Sequence, residues 1–165
     1  MLKFIKFIVQ SLIIYYMFLL CMVSYVLAND KFYQRDHIIV DLTLGIEWLR
    51  CSVGQQWSGK ECVGVAIKIP MKQVENVIFQ ANEQLEDEGW RLPTRKELEN
   101  IVCMDCKYTK IDEKIFPNTP AEPFWTGQKN EWNENYYWTV NFFSGHTFGR
   151  FPGSIPNFVR LVRDR

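Results

Sequence analysis

The sequence predicts an α+β fold in which two helices pack on an antiparallel sheet. Apolar residues recur at three- and four-residue spacing only in the middle of the chain, between residues 71 and 102. Short β-prone segments lie on both sides of that region, at 40–50 and from 124 onward. Strands at both ends of a domain, with helices between them, indicate that the two ends pair in one sheet.

The first 28 residues have the pattern of a signal peptide. Lys3 and Lys6 precede an uncharged apolar stretch that ends in Val26-Leu27-Ala28, a cleavage pattern. We therefore expect export to the periplasm, the cell surface or the medium. Residues 7–28 are also long enough to span a bilayer, so an uncleaved N-terminal membrane anchor is the alternative.

Residues 29–165 are predicted to form a single domain, because no repeat, low-complexity tract or linker interrupts them. The chain has 19 basic and 19 acidic residues, and the leader holds two of the lysines and no acidic residue. The domain therefore carries 17 basic and 19 acidic residues, a formal charge of −2. That balance predicts neither a nucleic-acid partner nor an anionic membrane surface. Membrane contact is expected only through an uncleaved leader, and the oligomeric state stays open.

The elements before the helices are predicted to be strands joined by a polar loop. Residues 40–50 alternate around Leu44-Gly45, which predicts a hairpin whose second strand carries Ile46 and Trp48. Residues 52–60 are rich in Gly, Ser and Gln and read as a loop. Residues 63–69 read as a strand.

Two helices follow, with identifiable ends. Pro70 suits the first position of a helix that we expect to end at Gly89, a left-handed C-terminal cap. Thr94 and Glu97 form a capping box that begins the second helix. The predicted buried positions are Met71, Val74, Val77, Ile78, Ala81 and Leu85 in the first helix and Leu98, Ile101 and Val102 in the second.

From Phe124 onward the chain is predicted to contain only strands and turns. Residues 136–143 are aromatic and β-prone, Ser144-Gly145 forms a turn, and residues 146–151 return. Residues 158–163 are predicted to be the closing strand.

Four cysteines lie outside the leader, and we expect them to form two disulfides, Cys51–Cys62 and Cys103–Cys106. An even count in an exported chain indicates disulfides, and each pair is close in sequence. A zinc site of four thiolates is the alternative, although the first pair is spaced too widely for one. A redox-active Cys103–Cys106 pair is disfavoured, because it would lie near the C-terminal end of a helix.

The tryptophans divide into predicted core residues and predicted binding residues. Trp48, Trp90 and Trp138 are expected in the core, where large aromatic side chains dominate burial. Trp132 lies in the polar segment 127–135, where an indole can stack on a sugar or anchor a protein partner.

A second variable loop, residues 144–157, completes the predicted binding surface. In it Arg150 lies beside aromatic residues and could bind a sulfate or carboxylate group through two hydrogen bonds. The full predicted binding set is Trp132, Arg150, Phe148 and Trp125.

Nothing in the sequence indicates catalysis, a cofactor or a metal. His37 and His146 are isolated, and no Ser/His/Asp set or phosphate-binding glycine loop is present. Arg91 and Arg160 are expected to form buried or half-buried pairs with carboxylates such as Glu97 or Glu99. We therefore predict that the protein is not an enzyme.

An ordered series of motifs resembles the bacterial domain family named after the C-terminal domain of the Legionella collagen-like protein (Lcl). The resemblance covers roughly residues 40–165. It is carried by the segments 44–57, Cys62-Val63-Gly64, 90–99, Ile111-Asp112, Ile115-Phe116-Pro117, Phe124-Trp125-Thr126, 137–142 and 159–163.

The resemblance implies an exported domain with an irregular fold similar to the C-type-lectin-like and formylglycine-generating-enzyme-like folds. The protein that gives the family its name is an adhesin that binds sulfated polysaccharide as a trimer. This chain has no Gly-X-Y tract, so neither the trimer nor the adhesin role is implied with it. The formylglycine-generating relatives need a cysteine pair in the active site, and residues 107–165 contain no cysteine.

The leading functional hypothesis is recognition of a glycan, sulfated or neutral, or of an envelope or host surface protein through segments 127–135 and 144–157. The alternative is a structural subunit of a cell-envelope assembly such as a pilus or secretion complex. A third hypothesis, an enzyme of the formylglycine-generating type, is disfavoured by the missing cysteines.

Overall fold

The computed structural model describes residues 6, 10–17, 31–85 and 88–165. The chain divides into two units, Met1–Lys31 and Phe32–Arg165. In the first unit residues 10–17 are helical. Most of the predicted leader, including the cleavage pattern at Ala28, lies outside the described residues. Among the residues that are described, no helix has the length and apolar character needed to cross a membrane.

In its described residues, the second unit is a mixed α/β domain with three antiparallel sheets and two short α-helices. The predicted mixed class and antiparallel pairing are confirmed, whereas a single sheet was expected. A 3₁₀ turn, Met71–Gln73, precedes helix α1. The α-helices are α1 (Val74–Gln84) and α2 (Arg95–Asn100). The strands are β1 (Phe32–Arg35), β2 (Ile38–Asp41), β3 (Ile46–Leu49), β4 (Gln55–Trp57), β5 (Cys62–Gly64), β6 (Pro123–Lys129), β7 (Tyr136–Asn141), β8 (Thr147–Pro152) and β9 (Val162–Asp164).

The largest sheet joins the two ends of the domain and has the order β1-β2-β3-β9. The predicted hairpin is confirmed in β2 and β3, with Ile39 opposite Trp48. Strand β9 pairs antiparallel to β3, so that Trp48 lies opposite Val162. The prediction that the two ends pair is confirmed. Strand β1 was not predicted, because a segment of four residues with one partly buried position gives little periodic signal.

Two smaller sheets complete the domain. Strands β4 and β5 form a hairpin; β4 lies inside the segment 52–60 predicted as a loop, and β5 overlaps the start of the strand predicted at 63–69. Strands β6, β7 and β8 form a three-stranded sheet, with the predicted turn at Ser144-Gly145 between β7 and β8.

Several predicted boundaries are wrong. The strand predicted at 63–69 ends at Gly64, whose φ of +89° interrupts extended backbone. The helix predicted to reach Gly89 ends at Gln84. Gly89 does have a left-handed φ of +87°, but the chain is tied back to α1 by the Asn82 side chain, which accepts a hydrogen bond from the Trp90 backbone N–H.

The predicted closing strand, 158–163, is replaced by a connecting segment and the three-residue β9. Within the segment, the carbonyl of Phe158 accepts from Trp125 N, that of Val159 from Val53 N, and that of Leu161 from Leu49 N. Each residue therefore bonds to a different element, which is why no continuous ladder forms.

Two apolar clusters form the core. The first is built around Trp48, Phe116, Phe124 and Phe142, and helix α2 contributes Leu98 to it. The second contains Trp90, Trp125, Val159 and Leu161, with α1 packed against it through Val74. The prediction that Trp48 and Trp90 are buried is confirmed. Trp138 is only half-buried, so its assignment to the core is corrected.

Both predicted disulfides are present. The Cys51 and Cys62 Cα atoms are 5.5 Å apart, and those of Cys103 and Cys106 are 5.4 Å apart. The zinc alternative is excluded, because all four sulfur atoms are consumed. The first bridge closes the β4–β5 hairpin, and the second closes the turn after α2.

The segment between the helices is fixed by Arg91. Its guanidinium donates two hydrogen bonds to the Glu97 carboxylate, both 2.9 Å, and one to Asp164 in β9. Glu97 also accepts from the Thr94 backbone N–H, and the Thr94 hydroxyl accepts from Glu97 N, which confirms the capping box. Partial burial opposes ionisation of Glu97, but the bonds from Arg91 and Thr94 outweigh it and lower the pKa of Glu97.

Arg160 is completely buried, and its predicted carboxylate partner is wrong. Its guanidinium donates to the carbonyl oxygens of Leu49 and Arg50 and to the hydroxyls of Ser52 and Thr119. It also lies over the Phe116 ring, 4.8 Å from the centroid. Desolvation lowers the pKa of Arg160 to about 9.

Glu97→Gln is expected to weaken the domain at neutral pH and not in acid. Because the folded-state pKa is lowered, the carboxylate stabilises the fold above its ordinary pKa of 4.5, and this contribution is lost as pH falls through the lower value. Urea unfolding should show a deficit of about 1 kcal/mol at pH 7 that shrinks as pH falls below 4.5. Glu131→Gln, in an exposed loop, is the control. A deficit that does not shrink with falling pH would contradict the assignment.

Arg160→Ala is expected to destabilise the domain by about 4 kcal/mol, because four acceptors in the core lose their donor. Urea unfolding at pH 7 would measure the change. Arg150→Ala, at an exposed position, should stay within about 0.5 kcal/mol of the parent. A loss below about 1 kcal/mol in Arg160→Ala would show that these bonds contribute little.

Candidate functional site

The loop between β6 and β7, residues 130–135, presents an exposed indole on an ordered backbone. Trp132 is 82% exposed. Asn130 Oδ1 accepts from Trp132 N at 2.8 Å, and Asn133 Oδ1 accepts from Asn135 N at 3.0 Å. Asn side chains stabilise turns through such local bonds. The position of Trp132 is therefore determined by its neighbours, although its ring lies in solvent.

A second hydrogen bond from Asn130 joins this loop to strand β8. Its side-chain amide donates to the carbonyl of Gly149 at 2.6 Å, and Asn130 itself is buried. Gly149 lies between Phe148 and Arg150, which are both exposed. The structure thus brings the loop of Trp132 next to the strand that carries the other two predicted residues. We call Trp132, Phe148 and Arg150 the Trp132 surface.

Asn130 was missed by sequence reasoning. Its signal was weak: an Asn two residues before a tryptophan, in a segment with three further Asn or Gln residues. A turn-forming role could be inferred from that spacing, but the contact with Gly149, 19 residues away, could not.

Trp125 does not belong to a binding surface, which corrects its prediction. The residue is 0% exposed, and its indole N–H donates to the carbonyl of Ile69 at 2.7 Å. Its ring packs edge-on against Tyr137 and Phe151. Trp125 therefore supports the β6–β7–β8 sheet from within the core.

Trp138 adds an aromatic and cationic element beside β8. The Arg95 guanidinium lies 4.6 Å from its ring centroid, a cation–π contact. A Cβ atom at Gly149 would come within 2.8 Å of the indole, so only glycine leaves room for the ring at this position. Arg95 in α2 contacts the Trp138 ring directly, and Arg150 follows Gly149 in β8, the strand that packs against the same ring.

The two histidines lie in different parts of the fold. His146 is exposed in the turn before β8. His37 lies in the turn between β1 and β2, where it contacts Asp36 at 3.2 Å. In the ranges 31–85 and 88–165, no group of three or more His, Cys, Asp or Glu residues could hold a metal ion. The arrangement is suited to contact through an aromatic side chain and arginine.

Comparison with known proteins identifies a family. The family model described as Lcl C-terminal domain matches residues 37–163. No curated protein matches, and no solved structure matches.

Proposed function

The chain belongs to the Lcl C-terminal domain family, and on that premise we propose that it is an exported, non-catalytic binding domain. Its target is a glycan, sulfated or neutral, or a protein of the envelope or host surface. We further propose that the fold is an irregular C-type-lectin-like fold. The pairing of β3 with β9, which joins the two ends of the domain, supports that assignment. The two disulfides support an oxidising location for the domain.

The observation that carries the proposal is the exposure of Trp132 on a hydrogen-bonded loop. Exposing the apolar surface of an indole to water costs free energy. Ordering the loop that carries the indole before binding reduces the entropy lost on association. Asn130 supplies this order through its bonds to Trp132 N and Gly149 O. An indole held in this way can stack on a sugar face or fill a pocket on a protein.

Arg150 supports a preference for anionic groups. Arg150 is exposed, and Phe148, two residues before it in β8, is also exposed. Arginine binds sulfate or carboxylate oxygens through two parallel hydrogen bonds. Contacts of this kind at one small surface are weak, so binding by a surface-attached or oligomeric form would depend on avidity.

A second candidate function, a structural subunit of an envelope assembly, is favoured by a different observation. Met104, Tyr108 and Phe143 are all exposed. Met104 lies in the turn closed by Cys103–Cys106, and Tyr108 follows that turn by two residues. Met104 lies against Gly145 in the β7–β8 turn, and Gly145 comes two residues after Phe143 in the chain. Exposed apolar groups that lie close together mark protein contact surfaces.

The test of the first proposal is binding of the full-length protein to immobilised heparin, to desulfated heparin and to a glycan array. Trp132→Ala should weaken binding at least about tenfold, as expected for a central aromatic contact. Arg150→Ala should remove the preference for the sulfated form. Tyr33→Ala, an exposed aromatic in β1, is the matched control and should bind like the parent.

Binding that survives both Trp132→Ala and Arg150→Ala would contradict the Trp132 surface. Crosslinking in intact cells followed by mass spectrometry separates the two proposals. A partner recovered at fixed stoichiometry, without glycan binding and sensitive to Tyr108→Ala and Phe143→Ala, would favour the assembly subunit. Peptides beginning at Asn29 would show cleavage of the leader.

A further inference from the structure

A cleft of about 450 Å³ lies between helix α1 and the segment that runs from Cys51 to Trp57. This volume is in the range of about 300–1,000 Å³ found for ligand sites. Helix α1 contributes Val77 and Ala81, and Leu85, its C-terminal cap residue, continues the same face because all three follow helical spacing. The opposite wall includes Val53 and Leu161. These side chains are half-buried or buried, so the interior of the cleft is aliphatic.

The rim of the cleft is formed by neutral amides. Gln80 and Gln84 project from α1 and Gln56 from β4, and all three are exposed. Within the part of the chain that the structure describes, none of these three side-chain amides has a hydrogen-bond partner. Each side-chain amide carries a carbonyl acceptor and an NH2 donor group. It can therefore pair with both the N–H and the C=O groups of a peptide main chain.

One carboxylate, Asp36, lies at the mouth. Its Oδ1 accepts from Trp57 Nε1 at 2.8 Å, and its Oδ2 contacts His37 Nδ1 at 3.2 Å. The hydrogen bond from His37 lowers the pKa of Asp36, which keeps the group charged. The side chain is still 68% exposed, so a further cation can reach it.

The backbone of Asp36 has a φ of +52°, a conformation that favours glycine. Glycine would fit the β1–β2 turn with less strain, yet it would remove the carboxylate from the cleft. The turn therefore supplies an anionic group at a conformational cost.

We call the cleft between α1 and the segment from Cys51 to Trp57 the Trp57 cleft. We propose that it binds an extended peptide segment that carries a lysine or arginine next to aliphatic residues. The aliphatic side chains enter the cleft, the glutamine amides bond to the peptide main chain, and Asp36 pairs with the basic side chain. The site is separate from the Trp132 surface and does not depend on the function proposed for it.

A peptide fits these groups better than a sugar does. A sugar in the cleft would place hydroxyl groups against Val53, Val77 and Leu85, which cannot pair with them, and buried unpaired polar groups are costly. The Arg50 guanidinium lies 4.0 Å from the Trp57 ring centroid, so one face of this indole is already covered and less aromatic surface is open to a sugar. Among the described residues that line the cleft, Asp36 supplies the carboxylate, and this group favours a positively charged ligand.

The test uses the full-length protein and a positional-scanning library of acetylated, amidated octapeptides. We expect enrichment of Lys or Arg beside Val, Ile or Leu. The best peptide is then measured by fluorescence anisotropy together with its norleucine analogue, which lacks the charge. Asp36→Asn should weaken the basic peptide about tenfold and abolish its advantage over the norleucine analogue. Asp36→Gly should do the same in a backbone that fits the turn.

The double variant Gln80→Ala, Gln84→Ala should weaken both peptides about fivefold, because both use main-chain bonds. Phe79→Ala is the matched control, since Phe79 is exposed on the same helix and does not line the cleft. It should bind as the parent does. The proposal is overturned if no peptide is enriched, if the Asp36 variants keep the basic preference, or if neutral oligosaccharides displace the peptide. Loss of glycan binding in Trp132→Ala with intact peptide binding would separate this site from the Trp132 surface.

Discussion

A guanidinium buried without a carboxylate is the interaction on which the rest of this domain depends. Arg160 donates to main-chain carbonyls at the end of β3 and to hydroxyls in two loops, Ser52 and Thr119. A buried charge requires this many partners because desolvation is costly. One side chain thus fixes the start of the Cys51–Cys62 segment, the loop before β6 and the connecting segment before β9 relative to each other.

Around that centre, charged side chains join parts of the chain that are far apart in sequence. Glu47 in β3 is 4% exposed and accepts from Arg163 in β9 at 2.6 and 2.8 Å, and from Arg35 in β1 at 2.9 Å. Arg163 also lies over the Trp90 ring. These bonds join β1, β3 and β9 through Glu47 and use no residue of the Trp132 surface.

Local signals made much of this fold predictable, and long-range contacts did not. The capping box at Thr94 and the hairpin around Gly45 are encoded within a few residues, and both were predicted correctly. The disulfides were predictable because each pair is short in sequence. The partners of Arg160 lie up to 111 positions away, so spacing suggested the commoner carboxylate pair. The same limit applies to the sites: Trp132 stood out in its polar loop, whereas the cleft beside Trp57 exists only once α1 packs against the Cys51 segment.

The pairing of β3 with β9 has a consequence for how the chain acquires its structure. Residues that must meet in this sheet are separated by 116 positions in the case of Glu47 and Arg163. Such high contact order slows folding, since loop-closure entropy is lost before the contact is gained. During synthesis, one edge of β3 therefore stays unpaired until the residues of β9 have been added to the chain. A chain that ends before Val162 lacks β9, and this edge of β3 then stays unpaired.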